Sequence, residues 1–355
     1  MIQFFRHFAE QKGYEGEDRL GKIPLKICNT CGRTYVNPDD FYRNTSRWRV
    51  CDSGHLWFNC TCNSTCMILQ GAHDWFDPTL QMSSEAKTLF HDIPSLRSLP
   101  RIPSQVMTLQ SMCDDPNVDA AQLAQAVKMD PLLATQVFNT VHQQVKTQKV
   151  ESLAHAISLL GIGPIKDLVL IAGLGTLQLK TKVFRAEAFW EHSFLVGRCT
   201  EFLAKHFRQP LTPDQAYIAG CVCNVGKIVL AACMPELADQ YVKEVEAAEG
   251  GCPWTEAEER HKGYQHTVLG EIGAVVWGLP APVNNIIAYH HRIASRSPLE
   301  PLRTYELVGL ANQLSHKILK QLGRVDQKLY QDLLQRFSLT EGQAEALVEQ
   351  MASKV

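Results

Sequence analysis

The uneven distribution of the twelve cysteines constrains the fold of this 355-residue chain more than any other sequence feature. Six of them lie between Cys28 and Cys66, and the other six are spread from Cys113 to Cys252. In a reducing compartment, clustered cysteines are metal ligands more often than they are disulfides. A segment this short has too small a core to fold on apolar burial alone, so a bound ion would supply folding free energy. The sequence therefore predicts a small metal-binding module near the N-terminus.

The strongest metal-ligand signal is the pair Cys28 and Cys31, in which two thiolates flank a tight turn that ends at Gly32. A tetrahedral zinc site needs two further ligands. Cys60 and Cys62 are predicted to supply them, because residues two apart in a strand lie on one face. The predicted ligands of a structural Zn²⁺ ion are therefore Cys28, Cys31, Cys60 and Cys62.

Three alternatives to this zinc site stay open. In the first, Cys51, His55 or Cys66 replaces one of the four ligands. In the second, iron takes the place of zinc as a mononuclear centre or a cluster. In the third, the cysteines act as a redox or metal sensor, and Cys51 pairs with Cys66 under oxidation.

A change in the pattern of apolar and turn-forming residues along the chain predicts two domains. Residues 21–78 alternate turn signals with short aromatic and β-branched runs, which is typical of small strands and hairpins. A short helical pattern around Phe5 precedes them, and Asp77–Thr79 is a candidate linker. We therefore assign 1–82 to a short N-terminal helix followed by a zinc-ribbon-like β module, and 83–355 to an all-helical domain.

The helical prediction for the second domain is based on apolar spacing and on helix starts. Apolar residues recur three and four apart, as in Leu123, Ala126 and Val127. The pairs Asp130-Pro131 and Thr212-Pro213 fit a capping residue followed by a first-turn proline. The chain is therefore expected to be mainly α.

Charge and hydropathy exclude several classes of partner. The formal net charge is −2, and residues 1–90 carry ten Lys and Arg against ten Asp and Glu. A phosphate-binding surface needs a positive excess, so nucleic acid is not an expected partner. No apolar run predicts a membrane span, and the N-terminus becomes polar before a signal-peptide core is formed. We therefore expect a cytoplasmic protein.

The helical region also contains an ordered series of short motifs. They are Ile93-Pro94-Ser95-Leu96, Leu99-Pro100-Arg101-Ile102-Pro103, Asp114-Asp115-Pro116-Asn117-Val118, Val127–Ala134, Ala156–Gly161, Ala219–Lys227, His266–Gly270, Trp277–Pro280 and Ile287–His291. Taken in this order, residues 94–350 resemble the HDOD family, a regulatory branch of the HD phosphohydrolase superfamily. The resemblance implies a two-lobed α-helical domain with the site of the superfamily near the cleft between the lobes.

The resemblance also implies which positions match the metal site of active relatives, where histidines and aspartates hold one or two ions that activate water. These positions are His192, Cys223, Asn224, His266, His290, His291 and Asn312. The His-Asp pair of active relatives is here Cys223-Asn224, and the last acid is Asn312. A carboxylate bridges two cations and offsets their charge, whereas an amide is neutral. The sequence therefore predicts a degenerate site with no catalytic residues.

A regulatory function in bacterial signal transduction is what the resemblance implies. The expected partner is a signalling protein, and a small ligand is a further expectation for the cleft. The alternative is a metal-dependent phosphohydrolase or phosphodiesterase with an atypical site formed by Cys223 and the remaining histidines. Lys227 is expected to form a salt bridge with a neighbouring acid.

Overall fold

The computed structural model describes most of the chain. The described residues are 26–35, 38–50, 55–68, 79, 82–113, 115, 117–129, 152–247, 251–261, 263–277, 279, 281–293 and 302–353. The predicted N-terminal helix, Cys51, the pair Asp130-Pro131 and most of the candidate linker lie outside these residues.

A small β module forms the first part of the described chain. Its elements are β1 (Lys26–Ile27), β2 (Thr34–Tyr35), α1 (Pro38–Asn44), β3 (Thr45–Val50), β4 (Leu56–Cys60) and β5 (Thr65–Ile68). β1 pairs with β2, and β3, β4 and β5 form an antiparallel sheet in that order. The rings of Tyr35, Phe41 and Phe58 pack edge-on within 6 Å of one another and form its core.

The rest of the described chain is helical. The helices are α2 (Ser84–Asp92), α3 (Pro94–Arg97), α4 (Ser104–Met112), α5 (Ala120–Lys128), α6 (Leu153–Leu160), α7 (Ile162–Gly175), α8 (Ala186–His206), α9 (Pro213–Val222), α10 (Gly226–Cys233), α11 (Pro235–Ala247), α12 (Trp254–Arg260), α13 (His266–Trp277), α14 (Ala281–Tyr289), α15 (Thr304–Ile318), α16 (Gln327–Arg336) and α17 (Glu341–Ala352). This confirms the predicted class, a mainly α chain preceded by a small β module.

Side-chain caps explain where several helices begin. The Thr212 hydroxyl accepts from the amide of Gln215, whose side chain accepts from the amide of Thr212 in return. Pro213 then occupies the first helical position, where a missing N–H costs nothing. The same reciprocal pair joins Asp119 and Gln122 at α5. The helix start predicted at Thr212-Pro213 is therefore confirmed.

Two hydrophobic clusters divide the helical domain into two lobes. The first surrounds α13 and includes the fully buried Trp277, and the second surrounds α15 and includes Leu310. Helix α8 belongs to both, because Trp190 packs in the first cluster and Val196 in the second. A side chain in the middle of α8 therefore lies at the seam between the lobes.

The β module packs directly on the first lobe. Strand β3 lies against α13, and the side chains of Trp57 and Met67 join the first cluster. At the start of α2, the amide and hydroxyl of Ser83 donate to the carboxylate of Glu271 at 2.6 and 2.8 Å. The module is therefore fixed against α13. The boundary predicted at residues 82 and 83 stays a prediction.

One apolar stretch of the described chain is long enough to cross a membrane. It is Gln215–Cys233, with a mean hydropathy of 1.7, and 83% of it is buried inside the protein. It corresponds to α9 and α10, which pack in the two clusters. Core packing accounts for its apolar character.

Candidate functional site

The four predicted cysteine ligands converge in the β module. The Cys28 and Cys62 sulfurs are 3.7 Å apart, and those of Cys31 and Cys60 are 3.5 Å apart. All four sulfurs lie within 4.8 Å of one another. The edge of a tetrahedron with 2.3 Å zinc–sulfur bonds is about 3.8 Å. The geometry therefore fits one tetrahedral ion. The identity of the metal and of its ligands stays a prediction.

The turns between strands position these sulfurs. Cys28 and Cys31 flank the β1–β2 turn, which closes at Gly32 with a φ of +72°. Cys60 ends β4, whereas Cys62 lies in the following turn, which is closed by the Cys60 amide donating to the Ser64 carbonyl. The argument that strand alternation places Cys60 and Cys62 on one face is therefore wrong. A tight turn brings them together instead.

Hydrogen bonds divide the thiols into easily and poorly ionised members. Burial opposes ionisation of Cys28, but the Ser64 hydroxyl and the amides of Cys31 and Thr30 outweigh it and lower the Cys28 pKa to about 5. The amide of Arg33 lowers the pKa of Cys31, but hydrogen bonds with the sulfurs of Cys60 and its neighbours outweigh this effect and raise the pKa to about 12. A cation bound among the sulfurs would favour the thiolate form of all four cysteines.

The other candidate ligands do not join this group in the described chain. Cys66 is buried close to Cys28, and burial followed by the charge of Cys28 raises its pKa to about 12. A thiol with a raised pKa is a poor nucleophile, which disfavours a redox function for Cys66. His55 is outside the four-sulfur group, and Cys51 lies outside the described residues.

The second site lies at the seam between the lobes, where the seven positions predicted from the family resemblance are found. His192 comes from α8, Cys223 and Asn224 from the α9–α10 turn, His266 from the start of α13, His290 and His291 from the end of α14, and Asn312 from α15. The structure arranges them in two parts, an amide network and a histidine cluster. We define the amide network as His192, Cys223, Asn224 and Asn312, and the histidine cluster as His266, His290 and His291.

Neutral groups hydrogen-bond to one another in the amide network, and Asn224 Oδ1 is left without a partner among the described residues. Asn312 Oδ1 accepts from His192 Nε2 at 3.2 Å and from Asn224 Nδ2 at 3.0 Å. The Cys223 thiol donates to the carbonyl of Gly220 at 3.2 Å, and burial raises its pKa to about 12. A pair of bridged cations needs anionic oxygen ligands. The amide network therefore does not fit a two-metal hydrolytic centre.

The histidine cluster is built around a buried carboxylate. His266 begins α13, and Glu258 Oε1 accepts from its amide at 2.6 Å and from its Nδ1 at 2.8 Å. His266 Nε2 is 3.3 Å from His290 Nε2, and His290 Nδ1 is 3.0 Å from the carbonyl of Ile287. The His291 ring centroid lies 4.3 Å from that of His290 and 5.0 Å from that of His266. Imidazole nitrogens of all three residues lie within 4.8 Å of one another.

Two glycines allow the helices of this site to approach closely. A Cβ on Gly226, at the start of α10, would overlap the carbonyl of His266. A Cβ on Gly309, in α15, would overlap the carbonyl of His290. The backbone contact at each position needs a residue without a side chain.

Lys227 lies close to both parts of the site, since its charge acts on His192 and on His290. It does not form the predicted salt bridge. Its Nζ lies 4.9 Å above the ring of Trp254, and it forms no ion pair within 4 Å in the described part of the chain. The prediction was wrong because Glu258, the buried acid whose charge acts on Lys227, is hydrogen-bonded to His266 instead. Burial, partly offset by the charge of Glu258, lowers the Lys227 pKa to about 8.

A cavity of about 360 Å³ opens beside Lys227 and the amide network. Its walls include the aromatic rings of Phe184, Phe189 and Trp254. Burial, and then the charge of Lys227, lowers the pKa of His192 to about 4, so that this histidine is neutral at pH 7. The cationic groups on the wall are Arg185, Lys227 and Arg324, and the acids are Glu191 and Glu246.

Sequence reasoning missed two residues of this site. The ring of His316 stacks on His192 with centroids 4.6 Å apart. His316 lies four positions after Asn312 in α15, so helical spacing could have indicated it. Glu258 precedes His266 by eight residues across a loop, and no sequence pattern signals that pairing.

Comparison with known proteins agrees with this architecture. An HDOD domain protein of unknown function from Geobacter sulfurreducens has a TM-score of 0.56 at 20% identity, covering 78% of this chain and 95% of its own. A candidate phosphohydrolase from Shewanella amazonensis SB2B has a TM-score of 0.55 at 17% identity, covering 76% and 94%. A candidate signal transduction protein from Marinobacter aquaeolei VT8 has a TM-score of 0.52 at 18% identity, covering 85% and 74%. At these identities the likeness shows the fold alone.

Sequence comparison gives the family. An uncharacterised protein of Treponema pallidum (strain Nichols) is 24% identical over 216 residues, which are 60% of this chain and 41% of that protein. The chain thus matches less than half the length of this relative. The HDOD domain model matches residues 99–293, which is more than half of the chain. The resemblance seen in the motifs is confirmed, and the chain belongs to the HDOD domain family.

Proposed function

We propose that this chain is a non-catalytic regulatory module of bacterial signal transduction that acts in the cytoplasm by binding a signalling protein or a small ligand. The observation that carries the proposal is the amide network. Asn312 Oδ1 accepts from both His192 and Asn224, so its lone pairs are directed at protein donors. Neutral side chains occupy the positions where a phosphoester-cleaving pair of ions needs carboxylates.

The cavity beside the network supports binding of a small ligand. It combines aromatic walls with the unpaired ammonium group of Lys227, and its volume lies in the range of small-molecule sites. A partly buried cation without a carboxylate partner gains from an incoming anion. The proposed ligand is therefore a small anion with a flat apolar part.

The proposed function of the cysteine module is to hold a docking surface rigid through a structural Zn²⁺ ion. The sulfur spacing supports this, because it matches one tetrahedral ion. Contact of β3 with α13 joins the module to the helix that begins with His266. A partner that binds the module would thus act on the same helix as a ligand at the seam.

The second candidate function is a hydrolase with an atypical site. The histidine cluster favours it, because three imidazoles and Glu258 remain together at the seam. A metal ion bound there would activate water, and His266, His290 and His291 are the residues that would hold it. The amide network argues against this candidate, because no carboxylate is found at its positions.

The deciding experiment is a hydrolysis assay on the purified chain loaded with Zn²⁺, Mn²⁺ or Ni²⁺. The substrates are bis(p-nitrophenyl) phosphate and cyclic dinucleotides. We expect no turnover above the metal-only background. Metal-dependent turnover that is lost in His290→Ala would overturn the proposal.

A matched variant makes a negative result informative. The triple change Cys223→His, Asn224→Asp and Asn312→Asp restores the ligand types of active relatives on the same scaffold. Asn224→Asp alone is its control for added charge. We expect the triple variant to bind more metal than the wild-type chain.

A further inference from the structure

A second groove lies where α14 ends and α15 begins, and it shares no lining residue with the cavity at the seam. We define this tyrosine–arginine groove by Tyr289, Arg292, Arg303 and Tyr305, which line a space of about 570 Å³. We propose that it binds a small ligand that carries a phosphate group and a flat aromatic ring. The proposal goes beyond the regulatory function, because this site involves neither the amide network nor Lys227.

The charge of the groove favours an anion. Its described lining contains two guanidinium groups, those of Arg292 and Arg303, and no acidic residue. Glu306 acts on the neighbouring Tyr305, but its carboxylate accepts from Arg336 Nε at 3.0 Å, and both partners of this ion pair are buried. Neither groove arginine forms an ion pair within 4 Å with a described residue. An incoming anion therefore meets two available cations.

Two guanidinium groups beside a helix start match a phosphate. A phosphate monoester carries about −1.5 to −2 charges at neutral pH. Arginine binds phosphate through two parallel N–H···O bonds. Arg303 directly precedes α15, and N–H groups at the start of a helix add attraction for an anion. A carboxylate offers one charge and two oxygens to the same donors, so a phosphate is the better match.

The tyrosine rings provide a surface for an aromatic group. The ring centroids of Tyr289 and Tyr305 are 5.8 Å apart, and the ring planes meet at 56°. Tyr289 is 37% exposed, so part of its ring is open to a ligand. Nucleobases and other flat rings stack on exposed aromatic side chains. The groove therefore places a stacking surface next to its two cations.

Arg292 connects the cationic and the aromatic parts of the groove. Its Cζ lies 5.2 Å from the ring centroid of Tyr289. Its backbone amide donates to the carbonyl of Tyr289 at 2.7 Å, which holds Arg292 in a turn at the end of α14. A guanidinium that stacks on a ring keeps its N–H donors in its own plane, where they can bind an anion. The stacking ring and the cation are thus oriented before a ligand arrives.

The size of the groove favours a small ligand over a segment of a partner protein. Its volume of about 570 Å³ lies within the range of about 300–1,000 Å³ that is typical of small-molecule sites. A phosphotyrosine side chain of a partner protein carries the same two chemical groups. Such a partner would add contacts outside the groove and would bind more tightly than the isolated groups. The experiment must therefore separate these two sources.

The position of the groove connects it to the seam. α14 ends next to His290 of the histidine cluster. Gly309 of α15 lies so close to the carbonyl of His290 that a Cβ there would overlap it. A ligand that bridges Arg292 and Arg303 would therefore hold α14 and α15 together beside the seam.

Calorimetric titration of the full-length chain tests the proposal, with phenyl phosphate and adenosine monophosphate (AMP) as probes. Adenosine and inorganic phosphate are the controls, because each carries only one of the two groups. We expect both probes to bind about tenfold more tightly than either control. Absence of binding at millimolar probe concentration, or equal affinity for a control, would overturn the proposal.

A blocked pentapeptide with phosphotyrosine between alanines tests the protein alternative. We expect it to bind no more tightly than phenyl phosphate, because a small ligand fills the groove by itself. An affinity more than about tenfold higher would overturn the small-ligand proposal and favour docking of a phosphorylated partner.

Variants place the probes in the groove. Arg292→Gln and Arg303→Gln should each weaken the binding of both probes about tenfold, because each removes a charge-assisted hydrogen bond. Tyr289→Ala should weaken the binding of AMP about fivefold or more through the loss of stacking. The matched control is Arg208→Gln, which changes an exposed arginine that follows α8 and does not line the groove. Unchanged binding in both groove arginine variants would contradict the proposal.

The same titrations in a Lys227→Met background separate the groove from the seam cavity, which also attracts anions. We expect the groove arginine variants to lose affinity for AMP in both backgrounds. Binding that is lost in Lys227→Met but kept in Arg292→Gln and Arg303→Gln would place the probe in the seam cavity. That result would overturn the proposed groove site while supporting a small ligand at the seam, so the two proposals fail independently.

Discussion

Asn312→Leu tests whether one amide oxygen holds the seam together. The substitution keeps a similar side-chain volume but removes the Oδ1 that accepts from His192 at 3.2 Å and from Asn224 at 3.0 Å. Asn312 is 3% exposed, so water cannot readily replace the lost acceptor. The backbone carbonyl of Asn312 still accepts from Ser315 in the variant.

The expected loss follows from the two donors left without an acceptor. Each buried donor left unsatisfied costs about 1–3 kcal/mol, so the free energy of unfolding should fall by about 2–6 kcal/mol. We expect the lower half of that range, because His192 borders the cavity and can recover part of its hydrogen bonding from water. Asn224 remains 3.3 Å from the Cys223 sulfur, which is only a weak acceptor.

Asn312→Asp is the matched control, because a carboxylate oxygen accepts both hydrogen bonds in the same place. It should cost less than half as much as Asn312→Leu. It should also raise the pKa of His192 from about 4, since a neighbouring negative charge favours the imidazolium form. Histidine NMR titration follows this change.

Urea unfolding followed by circular dichroism measures the free energy of unfolding of the zinc-loaded wild-type chain, Asn312→Leu and Asn312→Asp. An unchanged dependence on urea concentration would show that the folded state keeps its compactness. A loss below about 1 kcal/mol in Asn312→Leu would refute the role of Oδ1 as the shared acceptor.

Three further predictions concern pH, metal and ligand. The folded pKa of His192 is about 4 against an ordinary 6.5, so the unfolded chain binds the extra proton between these values. The stability from this group is therefore full above pH 6.5 and falls by about 2 kcal/mol between pH 7 and pH 5. Urea unfolding at both pH values checks this, and a His192→Gln variant should show a smaller loss. Cys31→Ser should release zinc from the cysteine module and make the module sensitive to limited proteolysis, whereas the control Cys233→Ser should do neither. Equal resistance of the two variants to the protease would contradict a structural ion. Calorimetric titration should show that 2-naphthoate binds about tenfold more weakly to Lys227→Met than to the wild-type chain, because one charge-assisted hydrogen bond is worth about 1.4 kcal/mol or more. The affinity for neutral 2-naphthylmethanol should not change. An equal loss of affinity for both compounds would show that Lys227 acts by shape alone.

Much of the fold was predictable because it depends on local patterns. Apolar spacing of three and four residues indicated a helical domain, and Thr212-Pro213 marked a helix start that the structure confirms. The order of motifs along the chain indicated the family that the domain comparison then gave. The apolar spacing, the helix cap and each single motif extend over only a few residues of the sequence.

The candidate site was only partly predictable. The seven positions were named from the family resemblance, but their separation into an amide network and a histidine cluster was not predicted. The strand argument for Cys62 was wrong, because the chain turns immediately after Cys60. The expected partner of Lys227 was also wrong, because Glu258 was already bound to His266.

The sequence by itself determined which chemical groups are available: two amides and four histidines at the positions named for the seam, and a cluster of cysteines near the N-terminus. Only the tertiary structure decided which of these groups meet. His192 and Asn312 are 120 positions apart, yet they share a hydrogen bond because α8 and α15 cross at the seam. The direction of each imidazole lone pair depends on such through-space neighbours. The Glu258 carboxylate lies beside His266 Nδ1, and the Ile287 carbonyl lies beside His290 Nδ1. No pattern along the chain indicates these contacts.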